Sequence, residues 1–132
     1  MSDATLPVSF EFFHAKTPEG VAKLRAEQVG GHFDLVTGDL SFISLTLVLP
    51  ALVPLLERQG HLLMLAKPQF ELQPGQIGKG GVVRDPALYP VVEQRLRDCC
   101  ASLGLAVAGW YDSPIAGGDG NREFFLHATR ST

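Results

Sequence analysis

Long apolar runs are missing from this sequence. The longest, "LTLVLPALVPLL", has 12 residues, two of them prolines, whereas a membrane-spanning helix needs about 20. An excess of basic charge is missing too. Eleven Lys and Arg stand against fourteen Asp and Glu, giving a net charge of −3. No global field gathers nucleic acid, so an RNA contact would need a local patch or another domain. Cysteine is scarce. Cys99 and Cys100 are adjacent in a helical pattern, where neighbours diverge and rarely bridge, and they read as core or boundary residues of a reducing compartment. The four histidines (His14, His32, His61 and His127) stand singly without metal-ligand spacing, so no metal is expected. No Ser-His-Asp or Cys-His arrangement is legible, and no GK[ST] P-loop follows a strand. The opening "MSDATLPVSF" lacks the basic and apolar stretches of a signal peptide. A cytoplasmic protein without a membrane partner is expected.

What is present is ordinary globular material. An apolar fraction of 45% over 132 residues fits a single packed domain. "PVSFEFF" alternates as a strand over 7–13, and a helix over 18–28 follows, with Thr17 as N-cap and Gly30 and Gly31 as its stop. "FDLVTGD", 33–39, reads as a buried strand. A helix over 44–58 is expected, kinked by Pro50 and Pro54 and ended by Gly60. "HLLMLAKP", 61–68, is the next strand, and 68–84 form a glycine-rich loop. A helix begins at Asp85 and Pro86 and buries Leu88, Val91, Val92, Leu96 and Cys99; Gly104 stops it. Strands over 105–114 and 122–129 complete the order β-α-β-α-β-α-β-β. This is an α/β fold with a mostly parallel sheet and a C-terminal antiparallel strand.

In such sheets ligands bind beyond the carboxyl ends of the parallel strands. Asp39 and Lys67 end two of those strands. Glu123 starts the antiparallel one and so reaches the same rim. An ammonium between two carboxylates is held by charge-assisted hydrogen bonds and can be aimed at a hydroxyl to take or relay its proton. A plain salt bridge capping strand ends is the other reading of the same spacing. In "GQIGKGG" and beyond, Lys79 and Arg84 lie on a mobile surface loop whose positive charge suits a nucleic-acid backbone. Ser41 and Ser44 read as caps of the helix after Asp39. Trp110, Tyr111, Phe124 and Phe125 read as core.

The stretches "DLVTGDLSFISLTLVLPALVPLL", "LLMLAKPQFE", "GKGGVVRDPALY" and "SPIAGGDGNREFFLH" together resemble the TlyA (hemolysin A) branch of the FtsJ-like RNA 2′-O-methyltransferases. The resemblance covers about residues 33–130. It implies a Rossmann-like methyltransferase that carries a methyl group from S-adenosylmethionine to a ribose 2′-hydroxyl of ribosomal RNA. It also implies a Lys-Asp-Lys-Glu set in which Asp39 is the aspartate, Lys67 the second lysine and Glu123 the glutamate. Cofactor contacts are then expected at Asp39, Leu40 and Ser41, and RNA contacts at Lys79 and Arg84. No G-x-G-x-x-G-like stretch precedes Asp39, and Lys16 and Lys23 lie outside the context of the family's first lysine. The expectation is a truncated methyltransferase, residues 33–132 being its C-terminal half. The alternative is a catalytically inactive remnant or a self-associating protein.

Residues 6–25, "LPVSFEFFHAKTPEGVAKLR", have a resemblance of their own, to the start of methylenetetrahydrofolate reductase. Glu11 stands at that family's catalytic glutamate, and His14-Ala15 replace its proline pair. A reductase fragment is the third reading, although 132 residues cannot build an eight-stranded barrel. Residues 1–32 are then a β-α segment of foreign origin within one folded unit. Its strand is expected to pair beside 33–38, and an exposed sheet edge would favour a homodimer.

Overall fold

Leucine- and valine-rich segments of this chain pair into one sheet in the computed structural model, which describes residues 8–9, 32–117 and 120–131. The described elements are β1 (Val8–Ser9), β2 (Phe33–Asp39), α1 (Leu45–Leu52), β3 (Leu56–Ala66), α2 (Leu88–Ser102), β4 (Leu105–Asp112) and β5 (Phe124–Arg130). The strand order is β1-β2-β3-β5-β4. β1, β2 and β3 run parallel, while β5 is antiparallel to both β3 and β4. The α/β class, the mainly parallel start and the antiparallel last strand agree with the sequence reading. β1 pairs Val8 with Val36 and Ser9 with Thr37, the placement expected for the first strand. Its continuation to residue 13, the helix over 18–28, Gly30, Gly31 and Glu11 lie outside the described residues.

Both described helices pack on one face of the sheet. Val36, Leu62, Met64, Leu126 and Ala128 alternate towards that face, and α1 covers them with Val48, Leu49 and Leu52. α2 adds Val92, Leu96 and Cys100 at four-residue spacing. These side chains form one contiguous buried cluster, which is where most of the hydrophobic stabilisation arises.

Four local expectations are corrected. The first helix is shorter than 44–58. It ends at Leu52, Pro54 lies in a 3-10 turn, Val53–Leu55, and β3 begins at Leu56. A proline near the start of a turn lacks an N–H that would have had no partner there. The Arg130 guanidinium donates to the Val53 and Leu56 carbonyls at 3.3 and 2.6 Å. Gly60 is therefore not a helix stop. β2 pairs Phe33 with Leu56 but Leu35 with His61, so β3 bulges between them. A Cβ on Gly60 would stand 2.9 Å from the Glu57 carbonyl oxygen and 3.1 Å from that of Phe33.

The second correction concerns α2. It starts at Leu88, and the Asp85 carboxylate instead accepts from the Ala87 N–H at 3.0 Å, one turn early. Val91 is half exposed, because Val92, Leu96 and Cys100 take the inward stripe. The third concerns Tyr111, which is exposed. β4 bulges between Val107 and Gly109, and the Tyr111 ring lies over Gly109. Trp110 stacks on Phe124 with centroids 5.1 Å apart.

The fourth is the loop over 68–84. It holds three 3-10 turns, Pro68–Phe70, Pro74–Gln76 and Lys79–Gly81. The buried Asn121 side chain ties it down, accepting from the Val83 N–H and donating to the Gly81 carbonyl, both at 2.9 Å.

Candidate active site

Topology brings the three rim charges together. Asp39 is the last residue of β2, Lys67 follows β3 directly, and Glu123 immediately precedes β5. β5 is antiparallel, with Phe124 opposite Ala66, so its start meets the ends of the other two strands. The Lys67 Nζ lies 2.5 Å from the Asp39 Oδ1 and donates to the Ser41 Oγ at 3.0 Å. The lysine side chain is 12% exposed and the aspartate 66%. The ammonium is thus sunk at the floor of the rim, while its acid partner stands in water. Burial pushes the Glu123 carboxyl above its ordinary range, the Lys67 charge pulls it down, and the Asp39 charge pushes it up again. That coupling ties the glutamate to both other members.

The rim encloses a pocket of about 370 Å³. Ser41, Phe42, Lys67, Gln69, Phe70 and Glu123 line it, with Ile77, Gly80 and Gly81 on the loop side. The Phe42 and Phe70 rings tilt against each other with centroids 5.1 Å apart. Phe42 is exposed and has φ 66°, a left-handed conformation uncommon for a bulky residue. Opposite, a Cβ on Gly117 would stand 2.5 Å from the Glu123 Oε2, so glycine there keeps the carboxylate free to sit in the rim.

Glu71 fixes the segment behind the pocket. Its carboxylate accepts from the Ser44 Oγ at 2.5 Å and the Leu45 N–H at 2.7 Å. It thereby caps the N-terminus of α1 from 26 residues away. Burial drives its carboxyl upward, and the two hydrogen bonds and the Arg95 charge only partly offset that. The Arg95 Nη1 donates to the Glu71 carbonyl at 2.6 Å. Ser44 is the N-cap of α1, as the sequence suggested, but Ser41 is not a cap; its hydroxyl receives Lys67.

The remaining anticipated residues fall unequally. The Leu40 side chain is buried in the core, so only its backbone is left to meet a ligand. Lys79 and Arg84 are exposed. Lys79 opens the turn whose glycines line the pocket, and the Arg84 side chain lies close to Gly78. Among the described residues no group of three or more His, Cys, Asp or Glu is placed to hold a metal. Gln69, Glu71 and Asn121 were missed by sequence reasoning. "KPQFE" signalled a turn after Lys67, but nothing in it separated a surface glutamate from a buried one.

A family model described as FtsJ-like methyltransferase matches residues 6–130. The chain belongs to this family. The match takes in the segment that resembles the reductase as well. The 16S/23S rRNA (cytidine-2′-O)-methyltransferase TlyA of Mycobacterium tuberculosis is 47% identical over 103 residues, which are 78% of this chain and 38% of that protein. The chain thus spans less than two-fifths of the length of that relative. A protein described as a hemolysin of Lactococcus lactis superposes with a TM-score of 0.79 at 36% identity, over 83% of this chain and 53% of that one. A 16S rRNA (adenine(1408)-N(1))-methyltransferase of Catenulisporales acidiphilia, crystallised with its cosubstrate S-adenosylmethionine, shares the fold at 18% identity, with a TM-score of 0.55 over 85% of this chain and 59% of that one. The FtsJ-like chain therefore has a Rossmann-like methyltransferase architecture. Among the described residues no helix is long and apolar enough to cross a membrane.

Proposed function

We propose that this chain carries the amine-and-acid portion of an S-adenosylmethionine-dependent RNA 2′-O-methyltransferase that acts on ribosomal RNA. The observation that carries the reading is Lys67 held between the Asp39 carboxylate and the Ser41 hydroxyl at the floor of a pocket that Glu123 also lines. An ammonium has three N–H donors. Two are engaged, which leaves one for an oxygen in the pocket. A ribose 2′-hydroxyl there would be oriented by Lys67, which would relay its proton: the ammonium gives a proton to the Glu123 carboxylate and takes that of the hydroxyl as the oxygen becomes nucleophilic. Asp39 holds Lys67 in that pose. Glu123 sits above its usual pKa, so it is a better proton sink than an ordinary carboxylate.

The described residues suit the reacting end of the cofactor. The Asp39 carboxylate is two-thirds exposed at the rim, open to a second cation beside Lys67, and the Leu40 backbone and the Ser41 hydroxyl adjoin it. Bound there, S-adenosylmethionine would supply an electrophilic methyl group on a sulfonium. Lys79, exposed in the turn whose glycines line the pocket, and Arg84, exposed further along the same loop, would meet backbone phosphates of the RNA. The name of the M. tuberculosis relative points to a cytidine ribose as the acceptor.

Calorimetric titration of the full chain with S-adenosylmethionine tests this. Saturable heat that disappears in Asp39→Ala is the expected result. A flat titration to millimolar ligand overturns the cofactor reading and favours an inactive, self-associating chain, which size-exclusion chromatography would show as a dimer.

A further inference from the structure

His61 and His127 are 66 positions apart in the chain, so their spacing carries no metal-ligand pattern. The sheet brings them together. β3 and β5 are antiparallel neighbours in which His61 lies opposite Thr129 and Leu63 opposite His127. The two histidines are therefore diagonal neighbours on one face, close enough for their rings to meet. Leu62, Met64, Leu126 and Ala128 belong to the helix-covered face, and alternation along the strands puts the histidines on the other one. The His61 Nδ1 lies 2.9 Å from the His127 Nε2. His61 is exposed and His127 is half-buried. Six residues of β3, about 20 Å, separate His61 from Lys67, so the pair is no part of the pocket at the rim.

A hydrogen bond between two imidazoles that water can reach adds little to folding, since water competes for both nitrogens. Stronger chemistry is open to the same pair. Neutral imidazole is the commonest metal ligand and suits late first-row divalent ions. Two nitrogens that each lie about 2.0–2.1 Å from one ion, at right angles around it, are about 2.9 Å from each other. That is the separation of the two ring nitrogens here, and right angles are the geometry of square-planar and tetragonal ions such as Cu²⁺ and Ni²⁺. A tetrahedral ion such as Zn²⁺ needs its nitrogens further apart, at about 3.3 Å. We propose that His61 and His127 form a two-imidazole chelate for a divalent transition-metal ion of right-angled geometry, with water in the remaining positions. Each ring turns its facing lone pair from the other nitrogen to the ion. Each keeps its single proton on the outward nitrogen, His61 Nε2 and His127 Nδ1, so no net proton is gained or lost. The ion clamps β3 to β5 on the face away from α1 and α2.

Nickel(II) chloride titrated into the ¹⁵N-labelled full chain tests this, because paramagnetic Ni²⁺ broadens the signals of residues near it. The expected result is saturable broadening by one ion per chain, centred on residues 60–62 and 126–128. That location is read in the wild type and needs no variant to fold. His61→Asn and His127→Gln lie outside the core cluster, and each should weaken Ni²⁺ binding at least about tenfold. The ion should also raise the Tm of the wild type, since it binds the paired histidines of the folded chain and not the separated ones of the unfolded chain. Neither variant should show that rise. Broadening centred on the start of the chain, on Cys99 and Cys100 or on the rim around Asp39 and Glu123 overturns the proposal. So does an affinity that both substitutions leave unchanged, and the two histidines are then a hydrogen-bonded pair only.

Discussion

The helix-covered face of the sheet and the rim at its strand ends are built on opposite terms. On the face, Val36, Leu62, Met64, Leu126 and Ala128 have no exposure at all, and α1 and α2 close over them. At the rim, within a few residues of the same strands, stand a buried ammonium, a water-exposed carboxylate, a glutamate above its usual pKa and an aromatic residue at positive φ. The face is what holds the chain folded. The rim departs from every rule the face obeys, and such departures persist where a ligand supplies the missing partner.

Removing core volume gives the largest effect. Leu49→Ala or Leu62→Ala, both fully buried, should each lower unfolding free energy by about 2–5 kcal/mol in denaturant titrations. Asn121→Ala comes next. It strands the Val83 N–H and the Gly81 carbonyl, and about 1–3 kcal/mol is expected. The Val83 amide should exchange with solvent much faster in the variant. A loss confined to that exchange rate, with global stability unmoved, would mean that the glycine loop is an appendage of the fold and not a part of it.

Glu71 tests the boundary between the two regions, since it lies behind the rim yet is buried like the core. Its folded carboxyl holds a proton to higher pH than the unfolded one, burial being the main cause. The folded state thus binds more protons between the ordinary value of 4.5 and the raised one. The contribution of this group to stability is fully present below pH 4.5 and is lost as pH rises through the folded value. Comparing wild type with Glu71→Gln across that window should show the wild type losing stability relative to the variant as pH climbs. Parallel curves would mean that the Ser44 and Leu45 hydrogen bonds cancel the cost of burial.

How much of this was legible beforehand divides along the same line. The strand over 33–39 was read to the residue, because a run bounded by a turn and ended by a charge leaves little choice of register. The convergence of Asp39, Lys67 and Glu123 was also legible, since strand direction alone carries strand ends to one rim. The end of the first helix was not. Its apolar run continues through Pro54 into β3, and helix and buried strand look alike in a continuous run. The bulge at Gly60 depends on a close approach to the Phe33 carbonyl, which no local pattern encodes. Glu71, Gln69 and Asn121 are polar residues on what reads as a surface loop. Their burial comes from partners 26 to 40 positions away in the case of Glu71 and Asn121.

The smallest stability effect is also the sharpest test of what the rim is for. Lys67→Met removes the ammonium but leaves behind an aspartate that is two-thirds exposed, and water can take over its solvation. The change in unfolding free energy should stay within about 1 kcal/mol, well under that of Leu49→Ala, while binding of S-adenosylmethionine and of cytidine is lost. A structural salt bridge that merely caps two strand ends makes the opposite forecast. Its removal would loosen β2 from β3, lower stability on the scale of the core variants, and leave any ligand affinity in proportion to the folded fraction. One denaturation curve and one titration on the same variant therefore separate a rim that binds from a rim that only fastens.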